Sequence, residues 1–166
     1  MKRFFAFTLI ALFATACLFI ANLNAHNKPF DVDYGTVLDN VFVEAYASTS
    51  WSASSEVASS HMDGFVMNNG GKATKAYYDF ETNVDGPIWK KKNKQKGGET
   101  WVAIGERWSG NYNVSFDLSN VRAGNWTIWA SSDITVKSDM NGDGDVDDME
   151  DVSSKSAYSD IHFVIQ

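Results

Sequence analysis

Apolar and polar residues alternate with a period of two through much of the chain after its first 25 residues. In the cleanest case, residues 111–118, Tyr112, Val114, Phe116 and Leu118 share one face, and polar residues take the other. This is the pattern of a strand with one face in the core and the other in water. Long helical periodicity does not occur, so the pattern predicts strands.

Further segments have the composition of strands, and turn-forming residues separate them. The expected strands cover residues 37–47, 73–82, 100–107, 125–130, 134–137 and 159–166, whereas 52–63 fits a loop or a short helix. The separators include NNGG at 68–71 and DGP at 85–87, which are turn signals. About seven short strands with frequent turns predict an all-β fold, an antiparallel β-sandwich of the immunoglobulin-like or jelly-roll-like kind.

The N-terminus predicts a secretory signal helix. Lys2 and Arg3 precede an apolar stretch over 4–21, and small or polar residues follow up to Ala25, as in signal peptides. The stretch is near the lower limit for crossing a bilayer. We therefore expect residues 1–25 to be removed and 26–166 to form a single secreted domain with no transmembrane span in its mature form.

A second processing site competes with cleavage after Ala25. The segment 14–17, ATAC, resembles a bacterial lipobox and would anchor the chain through a lipid on Cys17. Cleavage after Ala25 instead removes this single cysteine, and it changes the net charge from −7 to −9 because Lys2 and Arg3 are lost. The mature chain then has no disulfide to brace it, and its acidity argues against a nucleic-acid partner.

Residues 139–150 read DMNGDGDVDDME and have the spacing of a calcium loop. Gly144 at loop position 6 allows a sharp turn, and Val146 at position 8 is apolar. Calcium prefers six to eight oxygen ligands, which such loops supply at alternate positions. The expected ligands, at positions 1, 3, 5, 7, 9 and 12, are Asp139, Asn141, Asp143, Asp145 (through its backbone carbonyl), Asp147 and Glu150.

This loop resembles a single EF-hand loop and, more closely, one repeat of a dockerin. Dockerins carry two repeats that usually end in Asp, whereas this chain has one loop that ends in Glu150. The resemblance covers only this segment and implies the ligands, not a cohesin partner. We expect the calcium to be structural, because a bound ion stabilises a domain that lacks disulfides.

Residues 116–126 resemble the corner between strands E and F of immunoglobulin-like and fibronectin-like sandwiches. In those domains an aromatic residue two positions after a glycine clamps the corner, and Trp126 follows Gly124 at that distance. The resemblance supports the fold and implies no function.

Six tryptophans suggest carbohydrate binding, because flat amphipathic rings stack on the apolar faces of sugars. The candidates are Trp51, Trp89 and Trp108, which stand beside polar turns, and Trp129, which alternates with Trp126. Core packing is the alternative for each. The basic run at 90–96 is expected at a hairpin tip, where it is either solvated or docks an anionic glycan, a lipid headgroup or an acidic neighbour.

Copper is the alternative cofactor. If His26 becomes the mature N-terminus, its amine and imidazole are the donors of a histidine brace, to which His61 or His162 would add a nitrogen. The segment Asp160-Ile161-His162 resembles the Asp-x-His ligand pair of periplasmic copper carriers, which are also small sandwiches that begin with His. Lytic polysaccharide monooxygenases share the brace. An ordinary outward-facing residue on a strand is the other interpretation of His162.

The sequence contains no serine elbow, histidine-rich zinc motif or phosphate-binding glycine loop. It therefore predicts a noncatalytic calcium-binding sandwich, secreted or at the cell surface, that functions in adhesion, glycan binding or assembly of a surface or matrix layer. The expected partners are a polysaccharide, a surface or matrix protein, or further copies of the chain. The alternative is a periplasmic copper carrier or a monooxygenase-like protein.

Overall fold

Two antiparallel sheets of four strands make up the part of the chain that the structure, a computed structural model, describes: residues 27–38, 40–87, 91–146 and 151–166. The order β1-β2-β3-β6 forms the first sheet, and β5-β4-β7-β8 forms the second. This part of the chain contains no helix, so none that could cross a membrane. The predicted all-β class is confirmed. The strands are β1 (Phe30–Val37), β2 (Val41–Ser52), β3 (Val57–Asn68), β4 (Thr74–Asp85), β5 (Lys91–Val102), β6 (Arg107–Asp117), β7 (Gly124–Ser138) and β8 (Asp151–Ile165).

The core lies between the two sheets and consists of the inward-facing residues of the alternation. In β2 and β7 every second residue is buried over almost the whole strand. Burial of apolar side chains contributes about 25 cal/mol per Å² of area removed from water. The largest fully buried side chains include Trp126, Phe80 and Met62.

Two expected strands, at 125–130 and 134–137, are one continuous strand, β7. Ser132 lies between them, is fully buried, and donates its hydroxyl to the carbonyl of Asp63 in the opposite sheet at 2.7 Å. Because this hydroxyl has a partner inside the core, the polar residues at 131–133 do not interrupt the strand.

The expectation of a loop or short helix over 52–63 is wrong, because most of this segment belongs to β3. The inward face of β3 begins with Ala58 and Ser60, and small residues give a weak apolar alternation. Pairing with β2 on one side and β6 on the other holds the strand.

The strand expected at 100–107 is wrong as well. β5 ends at Val102 and a turn follows, in which Glu106 N–H donates to the carbonyl of Ala103 at 3.0 Å.

The lysine run is not a hairpin tip, because it lies within the edge strand β5. Its residues from Lys92 onward are exposed, so no alternation marks the strand. Residues opposite each other in a ladder share a face, and Lys92, Lys94 and Lys96 stand opposite the buried residues Val84, Thr82 and Phe80. These lysines therefore lie on the inner side of the open edge.

From there the lysines of β5 contact β6, the edge strand of the first sheet. Lys92 and Lys96 donate their ammonium groups to the backbone carbonyls of Asp117 (2.9 Å) and Asn111 (3.0 Å). Lys94 lies 5.4 Å from the ring centroid of Phe116, a cation–π contact. Inward-pointing lysines protect an edge strand from pairing with another sheet, which gives this basic run a structural role.

The opposite edge of the sandwich is closed by the N-terminal segment. Alternate amides of the edge strand β8 donate to acceptors on β1 and the residues before it. Edge amides that already have acceptors cannot recruit a further strand. The bonds join Ser156 N to Asp33 Oδ2 (3.3 Å), Tyr158 N to Asp31 Oδ2 (3.0 Å), Asp160 N to the Lys28 carbonyl (2.8 Å) and His162 N to Asn27 Oδ1 (2.8 Å).

Candidate functional site

The acidic loop, residues 139–150, connects the paired ends of β7 and β8, where Ser138 stands opposite Asp151. The structure describes its first part, residues 139–146. Asp139 is buried at the end of β7, and its N–H donates to the carbonyl of Ala73 at 3.0 Å. This bond fixes the first residue of the loop against the neighbouring segment.

The carboxylate of Asp139 shapes the turn that follows. It accepts the N–H of Gly142 at 2.6 Å and that of Gly144 at 3.0 Å. Both glycines have positive φ, +80° and +88°, a backbone region that L side chains rarely adopt. The two loop glycines are therefore required by the backbone.

The oxygen-bearing side chains at loop positions 3 and 5 fold back in the same way. Asn141 Oδ1 accepts the N–H of Asp143 at 3.0 Å, and Asp143 Oδ1 accepts the N–H of Asp145 at 2.9 Å. Val146, at position 8, is buried. Positions 1, 3 and 5 thus lie over their own backbone in a succession of tight turns.

The chemistry of this donor set fits calcium. The described positions supply carboxylate, amide and backbone oxygens and neither imidazole nor thiolate, a set that hard cations prefer over transition metals. Asp147 and Glu150, the other two expected ligands, lie outside the described residues. Within the described ranges, no three His, Cys, Asp or Glu side chains converge as a metal site.

Two of the candidate tryptophans pack against the core. Trp51 stacks on Phe163 with 4.3 Å between ring centroids, and Trp108 stacks on Tyr78 at 4.9 Å. Both indoles are partly buried and pack against the core cluster. They lie on different strands of the first sheet, β2 and β6, and each stacks on a residue of the second sheet.

Trp129 has a different position, on the outer face of the second sheet beside Tyr158 of β8. Trp101, which the sequence analysis did not single out, lies in β5 and is 44% exposed. Trp89 lies outside the described residues. The described tryptophans therefore do not gather into one patch, and Trp129 and Trp101 remain available on the second sheet.

The histidines at 61 and 162 lie on opposite outer faces of the sandwich. His61, in β3, places Nδ1 2.6 Å from Asn113 Oδ1 and Nε2 2.7 Å from Asp63 Oδ2. His162 belongs to β8 in the other sheet, where its inward neighbour Phe163 is buried. The core separates the two imidazoles, so His61 does not join His162 in a common site.

The expected pair Asp160 and His162 does come together. His162 Nε2 lies 3.4 Å from Asp160 Oδ2, and its Nδ1 lies 2.8 Å from the hydroxyl of Thr127. His26 lies outside the described residues. Asn27, its neighbour in sequence, accepts the backbone N–H of His162 at 2.8 Å.

No protein-family model and no curated protein sequence matches the chain. The solved structures that are distantly similar include the following three. A structural-genomics target is 14% identical (TM-score 0.38) and covers 74% of this chain and 88% of its own. The ApaA protein of Bordetella pertussis is 10% identical with a TM-score of 0.38, and the match covers 80% of this chain and 95% of that protein. A protein from Archaeoglobus fulgidus is 10% identical with a TM-score of 0.34, and the match covers 82% of this chain and 95% of that protein. At these TM-scores the similarities carry no argument about function.

Proposed function

We propose that this protein is a secreted, calcium-binding β-sandwich with a noncatalytic role. The observation that carries the proposal is the conformation of the loop start, where buried Asp139 accepts N–H groups from two glycines in the left-handed region. The ion would neutralise clustered carboxylates where β7 turns into β8, and extracellular calcium is abundant enough to fill even a weak site. The residues that would hold it are Asp139, Asn141, Asp143, Asp145, Asp147 and Glu150.

The role we propose is adhesion, glycan binding or assembly of a surface or matrix layer. A rigid sandwich with both edges protected is suited to present a binding face. The eight strands in two sheets of four match the strand count of a jelly-roll-like sandwich. The pairing of β2 with β3 departs from the immunoglobulin order, in which the second and third strands lie in different sheets.

Calcium binding is tested by calorimetric titration of chelator-stripped protein that comprises residues 26–166. We expect one ion per chain. Because a carboxylate at position 12 closes the calcium shell, Glu150→Gln should weaken binding by about tenfold or more.

The matched control is Asp145→Ala, which removes a loop carboxylate but keeps the backbone carbonyl at position 7. This variant should bind calcium within about threefold of wild type, a difference below 1 kcal/mol. Absence of binding at millimolar calcium, or equal affinities for wild type and Glu150→Gln, would reject the site.

One observation favours the copper site as a second candidate. Asn27 and Lys28 contact the backbone of His162 and Asp160, so the chain next to His26 runs beside the expected ligand pair. Neutral imidazole and a terminal amine are nitrogen donors that suit Cu(II).

If this site binds copper, protein that begins at His26 should bind Cu(II) tightly, as followed by electron paramagnetic resonance. One extra residue before His26 should abolish that binding, because it removes the amine from the brace. His162→Ala should weaken it, whereas His61→Ala should not, since His61 lies on the other sheet. Weak binding that is insensitive to the N-terminal extension would eliminate the copper alternative.

A further inference from the structure

The outer face of the second sheet carries an aromatic pair that neither proposed metal site uses. Trp129 of β7 and Tyr158 of β8 have ring centroids 6.0 Å apart and planes inclined by only 27°. Tyr158 is 46% exposed, and Trp129 is partly exposed. Two nearly parallel rings in an offset arrangement leave ring surface open to a ligand.

Asn83 lies on the same face, and its side-chain amide has no hydrogen-bond partner among the described residues. It stands in register with Trp129 on one side and with Asn93 of β5 on the other. The side chain is fully buried, yet neither Oδ1 nor Nδ2 is bonded to a group in the described part of the chain. Burying an amide without a partner is destabilising, and such a group in a folded protein calls for an explanation, for example a water or a ligand.

Carboxylates lie on the same face as the aromatic pair. Asp160 of β8 stands opposite Trp129 in the strand ladder, and Asp85 lies on the same face of β4, two residues from Asn83. Further along β4 on this face, Glu81 accepts a hydrogen bond from Asn93 at 2.6 Å. Around the aromatic pair, the face therefore combines apolar rings with hydrogen-bond acceptors, several of which carry negative charge.

We propose that the outer face of the second sheet binds a neutral polysaccharide chain, an inference that rests on the glycan-binding branch of the proposed function. Trp129 and Tyr158 would contact the apolar faces of sugar rings. Asn83 is fully buried and offers both a donor and an acceptor, so it would pair with sugar hydroxyls through a bridging water. The carboxylates Asp85 and Asp160 would accept hydroxyl donors and repel uronic or sulfated chains.

The outer face of the first sheet provides a matched control. There Tyr34, Phe42 and Phe65 form a row with ring centroids 6.4 Å and 6.2 Å apart. Their planes are inclined by 38° and 62°, so the row offers no common surface on which a sugar could stack. Phe42→Ala therefore removes an aromatic ring that is partly exposed, as Trp129 is, but that lies on the other outer face.

The test is affinity electrophoresis of the whole mature chain in millimolar calcium, with gels that contain neutral glucans, mannans, xylans or soluble chitin derivatives, and with alginate and heparin as anionic probes. Retardation by at least one neutral polysaccharide is expected, with no retardation by the anionic ones. Trp129→Ala and Tyr158→Ala should each weaken binding by about tenfold, because each variant removes a ring on which a sugar would stack. Phe42→Ala should leave binding unchanged.

Asn83→Val separates a ligand-binding role from a structural one. Because the amide has no partner among the described residues, a β-branched apolar residue there should not lower the melting temperature, yet it should weaken polysaccharide binding. If binding is undiminished in both aromatic variants, or if anionic chains bind better, the site is overturned while glycan binding as a function stands. If no glycan binds, the inference fails, and the calcium titration still decides the calcium site independently.

Discussion

Replacement of Trp126 by alanine is expected to lower the free energy of unfolding by about 3–5 kcal/mol. The indole is only 2% exposed, and it lies against Gly86, where an added Cβ would come within 2.5 Å of three of its ring atoms. Its Nε1 donates to the carbonyl of Arg122 at 3.1 Å, which ties the corner between β6 and β7. The substitution removes the packing and this bond together.

The matched control is Trp101→Ala, which removes the same side chain from a position that is 44% exposed. Its cost should stay below about 1 kcal/mol, because surface substitutions have small effects. The free energies of unfolding of both variants are measured by urea denaturation in millimolar calcium, with far-ultraviolet circular dichroism as the probe. Similar losses for the two variants would contradict the assignment of Trp126 as the clamp of the corner.

The strands that could be predicted from sequence are those whose inner faces are clearly apolar. In β6 the buried residues Val114 and Phe116 alternate with exposed polar ones. The strand expected at 111–118 ends one residue after the observed end of β6 at Asp117. β3 was not predicted, because its inward positions begin with alanine and serine and give a weak apolar pattern. β5 was not predicted, because nearly all its residues are exposed and no apolar alternation marks it. Both strands depend on pairing with distant segments, which local periodicity does not reveal.

Of the two candidate sites, the loop could be predicted from the sequence and the face of the second sheet could not. The loop ligands follow a fixed spacing within one segment, so the sequence alone identifies them. The proposed polysaccharide site on the outer face of the second sheet depends instead on the register between β4, β7 and β8, which brings Asn83 and Tyr158 to Trp129 from distant parts of the chain. Tyr158 follows a serine-rich stretch, and nothing in the sequence around it indicates a binding site. The sequence also could not distinguish Trp129 from Trp51 and Trp108, which pack against the core.

The mature domain is expected to melt at a higher temperature in millimolar calcium than in excess chelator. An ion that binds only the folded state adds about 3 kcal/mol of stability when its free concentration is about a hundredfold above the dissociation constant. For a domain of this size that corresponds to a rise of roughly 10 °C in the melting temperature. Calorimetry with calcium and with chelator, followed by restoration of calcium, measures the difference.

Asp139→Asn distinguishes the stability that bound calcium contributes from the stability that the hydrogen bonds of the turn contribute. Asp139 accepts the N–H groups of Gly142 and Gly144 through its two carboxylate oxygens; the single amide oxygen of Asn can keep one of these bonds, and the charge that would bind calcium is gone. In chelator the variant should therefore melt only a few degrees below wild type, whereas in calcium it should lose most of the stabilisation, because calcium affinity follows the charge of the ligands. If wild type and variant respond equally to calcium, Asp139 does not hold the ion, and its carboxylate only accepts the hydrogen bonds of the turn.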